Sequence, residues 1–462
     1  LRFSPKAPGR RAGCRTFPSR TPSGPAIWYP LLPRRQSPNR VMRCTATPDR
    51  MIDAVGRRVS SRNVIRFLDR HATWLALAGS GGLVLALYGR ALGFSFLFDD
   101  TYDLTRVEGR TYWSLLSSSG GYSYYRPIPY LIWKLLRGLQ GHYDQLTLHA
   151  LPLAAHALAG WFLYLLLRML GVGHWALVPA VLFLTCPFHY QVVPIAGTLF
   201  HPLAGMAILA SLTLYASGRL RVDGRFNTAF HVGALIATAI ALWTHESGVA
   251  IVPLVIGLEL VILARSRSVR RRPSVWLAGH LMLAVVFVTV WYGIENPQAG
   301  ERPMPAGMTP KVLFLLQGFT YPFSAQIGRL NDVAAVSVGV LAVGLLALAV
   351  TFIAYAIAGR HTNRPKLVLI PTIGLGLAVG SSLPWLLGLP WKYVENAPRL
   401  LYLPAIGAAI CWGLLPWLDL GSPRATRIWR VGTLIALFAV IVQSWRVVGV
   451  RLGIDEGGSA MI

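Results

Sequence analysis

Two adjacent carboxylates, Asp99 and Asp100, stand directly after the first long apolar segment, and Tyr124-Tyr125-Arg126-Pro127 follows in the same polar stretch. A carboxylate can take the proton from a hydroxyl as that hydroxyl attacks, an effect worth typically 10² to 10⁴-fold in rate. An arginine stays charged and grips an oxyanion with two parallel hydrogen bonds. Ionised groups at a membrane boundary are costly and usually mark function. Plainer readings exist for the same residues: Asp before Thr101 also suits a solvated helix start. Tyr124 and Tyr125 suit an interfacial belt, and Arg126 suits a snorkelling anchor. Because neighbouring carboxylates raise each other's proton affinity, residue type alone does not say which of the pair would be the base.

The elements that must position these groups are membrane helices. The chain is 54% hydrophobic and only 13% charged over 462 residues, with a mean hydropathy of +0.50. Repeated apolar runs of about 18 residues or more read as spans, and lipid admits only segments that satisfy their own backbone, so helices are expected. The fold class expected is an all-α polytopic membrane protein with about eleven transmembrane helices. They are expected at 73–97, 148–168, 175–188, 201–217, 229–245, 247–264, 274–292, 333–358, 367–389, 399–416 and 431–447. Outer connections are long at 98–147 and 293–330, and long connections in a compact protein are often functional. In the first of them 113–116 and 132–139 read as short helices, the second amphipathic and suited to the interface.

The net charge of +26 is unevenly spread. Residues 1–70 carry 16 Lys and Arg against three Asp, a net +13, in a Pro-, Ser- and Arg-rich tail without the apolar content to fold alone. The tail is expected to be disordered, first as solvated or non-native sequence, with a polybasic arm on anionic lipid and an Arg-rich transit segment as the functional alternatives. Leu1 in place of Met, with Met42 and Met51 ahead of the first span, also suits an upstream start. The transmembrane domain is expected over 71–447, with a short tail at 448–462.

With the tail on the cytoplasmic side, the even-numbered connections hold Arg219, Arg221 and Arg225, then five arginines between 265 and 272. Arg360, Arg364 and Lys366 follow, then Arg424, Arg427 and Arg430. The opposite side carries Asp99, Asp100, Asp103, Glu108, Asp144, Glu295, Glu301, Asp332 and Glu395. This is the positive-inside pattern, so the arginine clusters read as orientation signals rather than nucleic-acid contacts. The expected location is a bacterial plasma membrane, N-terminus cytoplasmic. The same topology puts Asp99, Asp100, Arg126, His189, His201, His245, Glu246, Arg399 and Tyr402 at or near the outer face, where they could share a cavity.

Cys14, Cys44, Cys186 and Cys411 form no CxxC, so no zinc site is expected. Neither GxGxxG after a strand nor GxxxxGK occurs, so nucleotide binding is not expected. Two acids alone do not define a metal site, which leaves a divalent cation neither required nor excluded. His149 and His156, seven apart on one helix, read as interhelical packing.

Phe98-Asp99-Asp100, Tyr125-Arg126-Pro127-Ile128 and the His149/His156 helix resemble the start of GT-C membrane glycosyltransferases, especially the protein O-mannosyltransferase-like group with tetratricopeptide repeats. Cys186-Pro187-Phe188-His189-Tyr190-Gln191-Val192-Val193, Thr244-His245-Glu246-Ser247 and Arg399-Leu400-Leu401-Tyr402-Leu403-Pro404-Ala405-Ile406-Gly407 are similar to later segments of that group, in order. His245 departs from its frequent Lys, and no repeats follow the last span. The resemblance implies inverting transfer of a mannose-like hexose from a polyprenyl-phosphate donor to an acceptor hydroxyl of a protein, lipid or cell-envelope glycan, on the non-cytoplasmic side. Asp99 is then the expected base, with Asp100 second. Arg126 and Arg399 are expected at the leaving phosphate, with Tyr125, His189, His201, His245, Glu246 and Tyr402 as further donor contacts. A lipid or glycan transporter, and a non-catalytic membrane scaffold, are the alternatives from other classes.

Overall fold

Apolar runs become helices here because each backbone N–H and C=O is satisfied within its own segment. The computed structural model describes residues 71–97, 99–120, 124–220, 227–265, 274–294, 308–321, 338–361 and 366–459, all within one unit, Arg66–Ile462. The basic tail, Phe98, the Asp99 side chain, Glu295, Glu301, Asp332 and most of the loop arginines lie outside this description. Among the described residues there are helices and turns and no strand.

Nine helical stretches among the described residues are long and apolar enough to cross a membrane. The expected segments 148–168 and 175–188 run together as Gln145–Leu184, in which Gly171 (φ +82°) turns the chain between α5 (Gln145–Leu167) and α6 (Leu177–Leu184). The expected segment 333–358 corresponds to the 24-residue helix Val338–His361, of which the apolar stretch Gly344–Gly359 is fully described and is not counted among the nine. These two differences account for nine against eleven. The other stretches follow the expected order: α1 (His71–Gly93), α7 (Phe200–Leu220), α8 (Asn227–Thr244), α9 (Ile251–Arg265) and α10 (Trp276–Gly293), all preceding α11 (Met308–Phe319) and α12 (Val338–His361). After them come α13 (Lys366–Gly388), the one-turn α14 (Trp391–Val394), α15 (Tyr402–Gly413) and α16 (Pro423–Ser459). The last helix runs 37 residues and continues unbroken through 448–459.

The first polar stretch folds into three short helices, α2 (Asp99–Glu108), α3 (Tyr112–Ser117) and α4 (Pro127–Gln140). Pro127 at the first position of α4 suits a residue with no N–H to donate, and Gly141 ends it in the left-handed conformation at φ +78°. Thr111 caps α3 by accepting from the Ser114 amide at 3.1 Å. Leu104, Val107, Leu115, Tyr130 and Trp133 of these helices pack on Leu148, Ala196, Leu199 and Leu203. That satellite core holds the three helices over the starts of α5 and α7.

The main core lies among α5, α6, α7, α13 and α15. Glycine sets its closest approach: a Cβ on Gly407 of α15 would fall 2.1 Å from the Gly374 carbonyl of α13. Small residues are what allow membrane helices to approach this closely, where lipid supplies no hydrophobic drive. A Cβ on Gly205 of α7 would lie 3.0 Å from the Tyr402 ring, so this glycine lets Tyr402 sit against α7.

Candidate active site

The reversal between α8 and α9 is the anchor of the site. His245 leaves α8 in extended conformation (φ −158°, ψ 142°), and the Ser247 amide donates to its Nδ1 at 3.0 Å. With Nδ1 accepting, the neutral ring carries its proton on Nε2. That nitrogen is buried without a hydrogen-bond partner among the described residues. Burial holds the His245 imidazole well below the ordinary histidine value, and the nearby Arg126 guanidinium adds to the effect.

Glu246, the next residue, pairs with Arg126 from 120 positions earlier in the chain. Arg126 Nε donates to Glu246 Oε1 at 3.2 Å and to Oε2 at 3.0 Å, and Nη2 donates to Oε2 at 2.9 Å. The guanidinium lies between two rings, 4.4 Å from the Tyr124 centroid and 4.3 Å from that of Phe200. Burial alone would favour losing the charge, but the Glu246 carboxylate outweighs it and the Arg126 value rises. The ion pair takes the Nε/Nη2 edge of the fork. Its Nη1 protons remain for another acceptor.

The histidines meet here. The His201 ring at the start of α7 is 4.8 Å from His245, and Phe200 stacks on His245 at 5.7 Å with planes 25° apart. Tyr402 is fully buried, 4.5 Å from the His189 ring and 6.4 Å from His201. His156 Nε2 lies 3.2 Å from the Leu184 carbonyl, so it donates there. Its Nδ1 is therefore the acceptor for the Tyr402 hydroxyl at 2.8 Å. His156 thus joins three segments, the packing role expected of it. Burial, and then the neighbouring His156, hold His189 well below the ordinary histidine value. Arg399, half-buried, donates to the Tyr393 hydroxyl at 2.8 Å, and both it and Arg126 are within electrostatic reach of His201.

Of the two carboxylates that open α2, the structure describes the side chain of Asp100. Asp100 is fully buried: its Oδ2 accepts from the Leu97 amide at 3.0 Å, and its Oδ1 accepts from the Gly197 amide. It therefore ties the start of α2 to the 3-10 turn Ala196–Thr198 that leads into α7. It is not a solvated helix end. The Asp99 backbone opens this helix, while its side chain lies outside the description.

Of the residues predicted from sequence, Arg126, His189, His201, His245, Glu246, Arg399 and Tyr402 form one connected group. Tyr125 does not share its contacts. Its ring packs with Leu242 and Phe287, and its hydroxyl donates to the Leu116 carbonyl. Four participants escaped the sequence reading as site residues: Asp103, Tyr124, Phe200 and Ser247. Burial, followed by the Asp103 charge, pushes the Tyr124 phenol up to about 12. Asp100 and Asp103 are three apart on α2 and therefore share a face, a spacing visible in the sequence. Among the described residues no three His, Cys, Asp or Glu side chains converge to hold a metal ion.

The opposite end of the bundle holds a second charge pair, more deeply buried than the first. Glu259 of α9 accepts from Arg219 Nε at 2.9 Å, from the Tyr215 hydroxyl at 2.9 Å and from the Ser274 amide at 3.2 Å. Arg219 is thus more than an orientation signal. Glu259, an acid inside an apolar span, was the cue for it.

Two comparisons bear on this arrangement. The mouse (Mus musculus) protein O-mannosyl-transferase TMTC2 is 24% identical over 236 residues, which is 46% of this chain. The match spans 27% of that relative, so this chain covers about a quarter of its length. Residues 122–448, from the loop before Arg126 through the last span, match the family model described as 6-pyruvoyl-tetrahydropterin synthase related domain, membrane protein. That match takes in most of the chain and every site residue after α3, and on it the chain belongs to this family of membrane proteins.

Proposed function

We propose that this protein is a membrane glycosyltransferase that moves a mannose-like hexose from a polyprenyl-phosphate carrier to an acceptor hydroxyl on the non-cytoplasmic side, with inversion. The observation that carries the reading is the buried group at the α8–α9 reversal. There a stacked, ion-paired arginine and a histidine with an unpartnered Nε2 proton stand side by side. Both offer N–H donors where a leaving phosphate gathers negative charge, and fixed donors of this kind are worth most where water is excluded. The distant likeness to a protein O-mannosyl-transferase points the same way.

In this mechanism Asp99 takes the acceptor proton as its oxygen attacks the anomeric carbon, and the bond from that carbon to the phosphate oxygen breaks. The phosphate leaves with the electron pair, met by the Nη1 edge of Arg126, by Arg399 and by His245 Nε2–H. Asp100 holds α2 in register for Asp99 through its two amide contacts. His201 and His189, whose imidazoles can donate and accept, line the sugar hydroxyls.

The test is sugar transfer by purified protein in nanodiscs, with a panel of polyprenyl-phosphate sugars and with Asp99→Asn as the paired variant. Release of free polyprenyl phosphate that drops about 10² to 10⁴-fold in the variant supports the reading. Undiminished release by a folded Asp99→Asn protein sinks Asp99 as the base, and donor-independent lipid flux would favour a transporter.

A further inference from the structure

A second anion-seeking cluster lies where α11 crosses the end of α13. Lys311 is 1% exposed, and among the described residues its ammonium makes one hydrogen bond, to the Leu386 carbonyl at 3.0 Å. That carbonyl is in the last turn of α13, where helical carbonyls lack intrahelical partners. Capping it takes one of three ammonium protons. Trp385, next in sequence, is 3% exposed, and its indole Nε1 has no partner among the described residues. Its ring meets Phe314 edge-on at 6.0 Å. Phe314 is three residues from Lys311 and so shares its face of α11.

The two groups have one chemistry in common. An ammonium and an indole N–H are donors only, and buried donors without acceptors are costly enough to be rare. A phosphate oxyanion, with several acceptor oxygens, is the kind of group that would serve both donors. Burial also pushes the Lys311 ammonium down from its ordinary value, the direction a bound anion reverses. The surroundings say what the anion is attached to: Val312, next to Lys311 in sequence, and Leu383 and Leu387, flanking Trp385 in sequence, are exposed apolar side chains, with Leu383 and Leu387 four apart on one face of α13. The cluster also borders the site. Trp391 of α14 approaches Phe314 at 6.5 Å, and Tyr393 of the same turn holds Arg399 at 2.8 Å.

We propose that Lys311 and Trp385 form a head-group site for a membrane lipid phosphate, whose chain lies along Leu383, Leu387 and Val312. The site is separate from the Arg126–Glu246 cluster and requires no sugar transfer. A phospholipid and a polyprenyl phosphate present the same phosphate-on-a-chain chemistry.

The experiment is native mass spectrometry and titration of the purified full chain with phosphatidylglycerol, polyprenyl phosphate and inorganic phosphate, in wild type, Lys311→Gln, Lys311→Arg and Trp385→Phe. Retention of either lipid by wild type, weakened about tenfold in Lys311→Gln and largely restored in Lys311→Arg, is the expected result. Trp385→Phe keeps the ring and removes only the N–H, so weaker binding there with unchanged thermal stability separates recognition from folding. Equal lipid binding by wild type, Lys311→Gln and Trp385→Phe overturns the site. Inorganic phosphate displacing both lipids with equal affinity overturns the lipid assignment. Polyprenyl phosphate favoured over phosphatidylglycerol assigns the site to the carrier, and the reverse assigns it to bulk lipid; either supports it whether or not transfer is observed.

Discussion

An arginine taken largely out of water needs its partner in place, and part-buried Arg126 has Glu246 on one edge and aromatic rings on both faces. Glu246→Ala is therefore expected to destabilise by about 1 to 3 kcal/mol, because it leaves the part-buried guanidinium unpaired. Replacing both residues with leucine should cost clearly less than the two single changes combined, measurable as a double-mutant cycle of thermal or denaturant unfolding. Asp100→Asn should behave differently from Asp99→Asn. The Asp100 change turns an amide N–H₂ toward the Leu97 or Gly197 amide, with a loss of about 1 to 3 kcal/mol of stability. Asp99→Asn is expected to keep the thermal midpoint and lose turnover. Equal midpoints for the two variants would contradict the division of roles. At this scale the sequence was partly legible: an acid pair, a Tyr-Arg-Pro and a His-Glu stand out by type. That Arg126 meets Glu246 and that Asp100 reaches the Gly197 amide is not, since both contacts join residues about a hundred positions apart.

Elements were the most legible scale, because the hydropathy that makes a span is carried within about 20 residues. Each expected segment has a helical counterpart, including the tight reversal at 245–247. What escaped were α2, a polar ten-residue helix held by the satellite core rather than by its own periodicity, and the continuation of α16 to Ser459. Gly407 and Gly376 give a paired prediction for packing. Gly407→Ala places a methyl against the Gly374 carbonyl, with an expected cost of about 1 to 3 kcal/mol. Gly376→Ala, on a face with nothing within 4 Å, should be neutral. Thermal unfolding in detergent of the two variants checks this directly, and equal midpoints would count against the α13–α15 contact.

For the whole molecule, the neutral histidines link stability to pH. His189 and His245 are held below the unfolded value of 6.5, so below that pH the unfolded chain binds more protons than the folded one. Stability is therefore full above about 6.5 and falls as pH drops through that value. Unfolding midpoints measured between pH 8 and pH 5 should be flat and then decline, and His245→Gln should flatten the decline. The orientation is tested by cysteines placed at Ser118 and Ser422 in a background free of Cys14 and Cys44. A membrane-impermeant maleimide added to intact cells should label the first and not the second, and the reverse would invert the topology.

Hydropathy and charge are summed along a chain, so the amino-acid sequence by itself determined that this is an α-helical polytopic membrane protein and roughly where its helices begin and end. It also singled out the acid pair, the arginines and the histidines that gather at one end. Only the tertiary structure decided which of them touch. Arg126 finds its carboxylate on a different helix reversal, Tyr125 turns to an apolar cluster while Tyr124 faces the guanidinium, and Lys311 reaches the Leu386 carbonyl on another helix. Such pairings depend on helix approach and on the direction of each side chain, set by glycines such as Gly205 and Gly407 far from the residues they bring together. No local pattern carries that information.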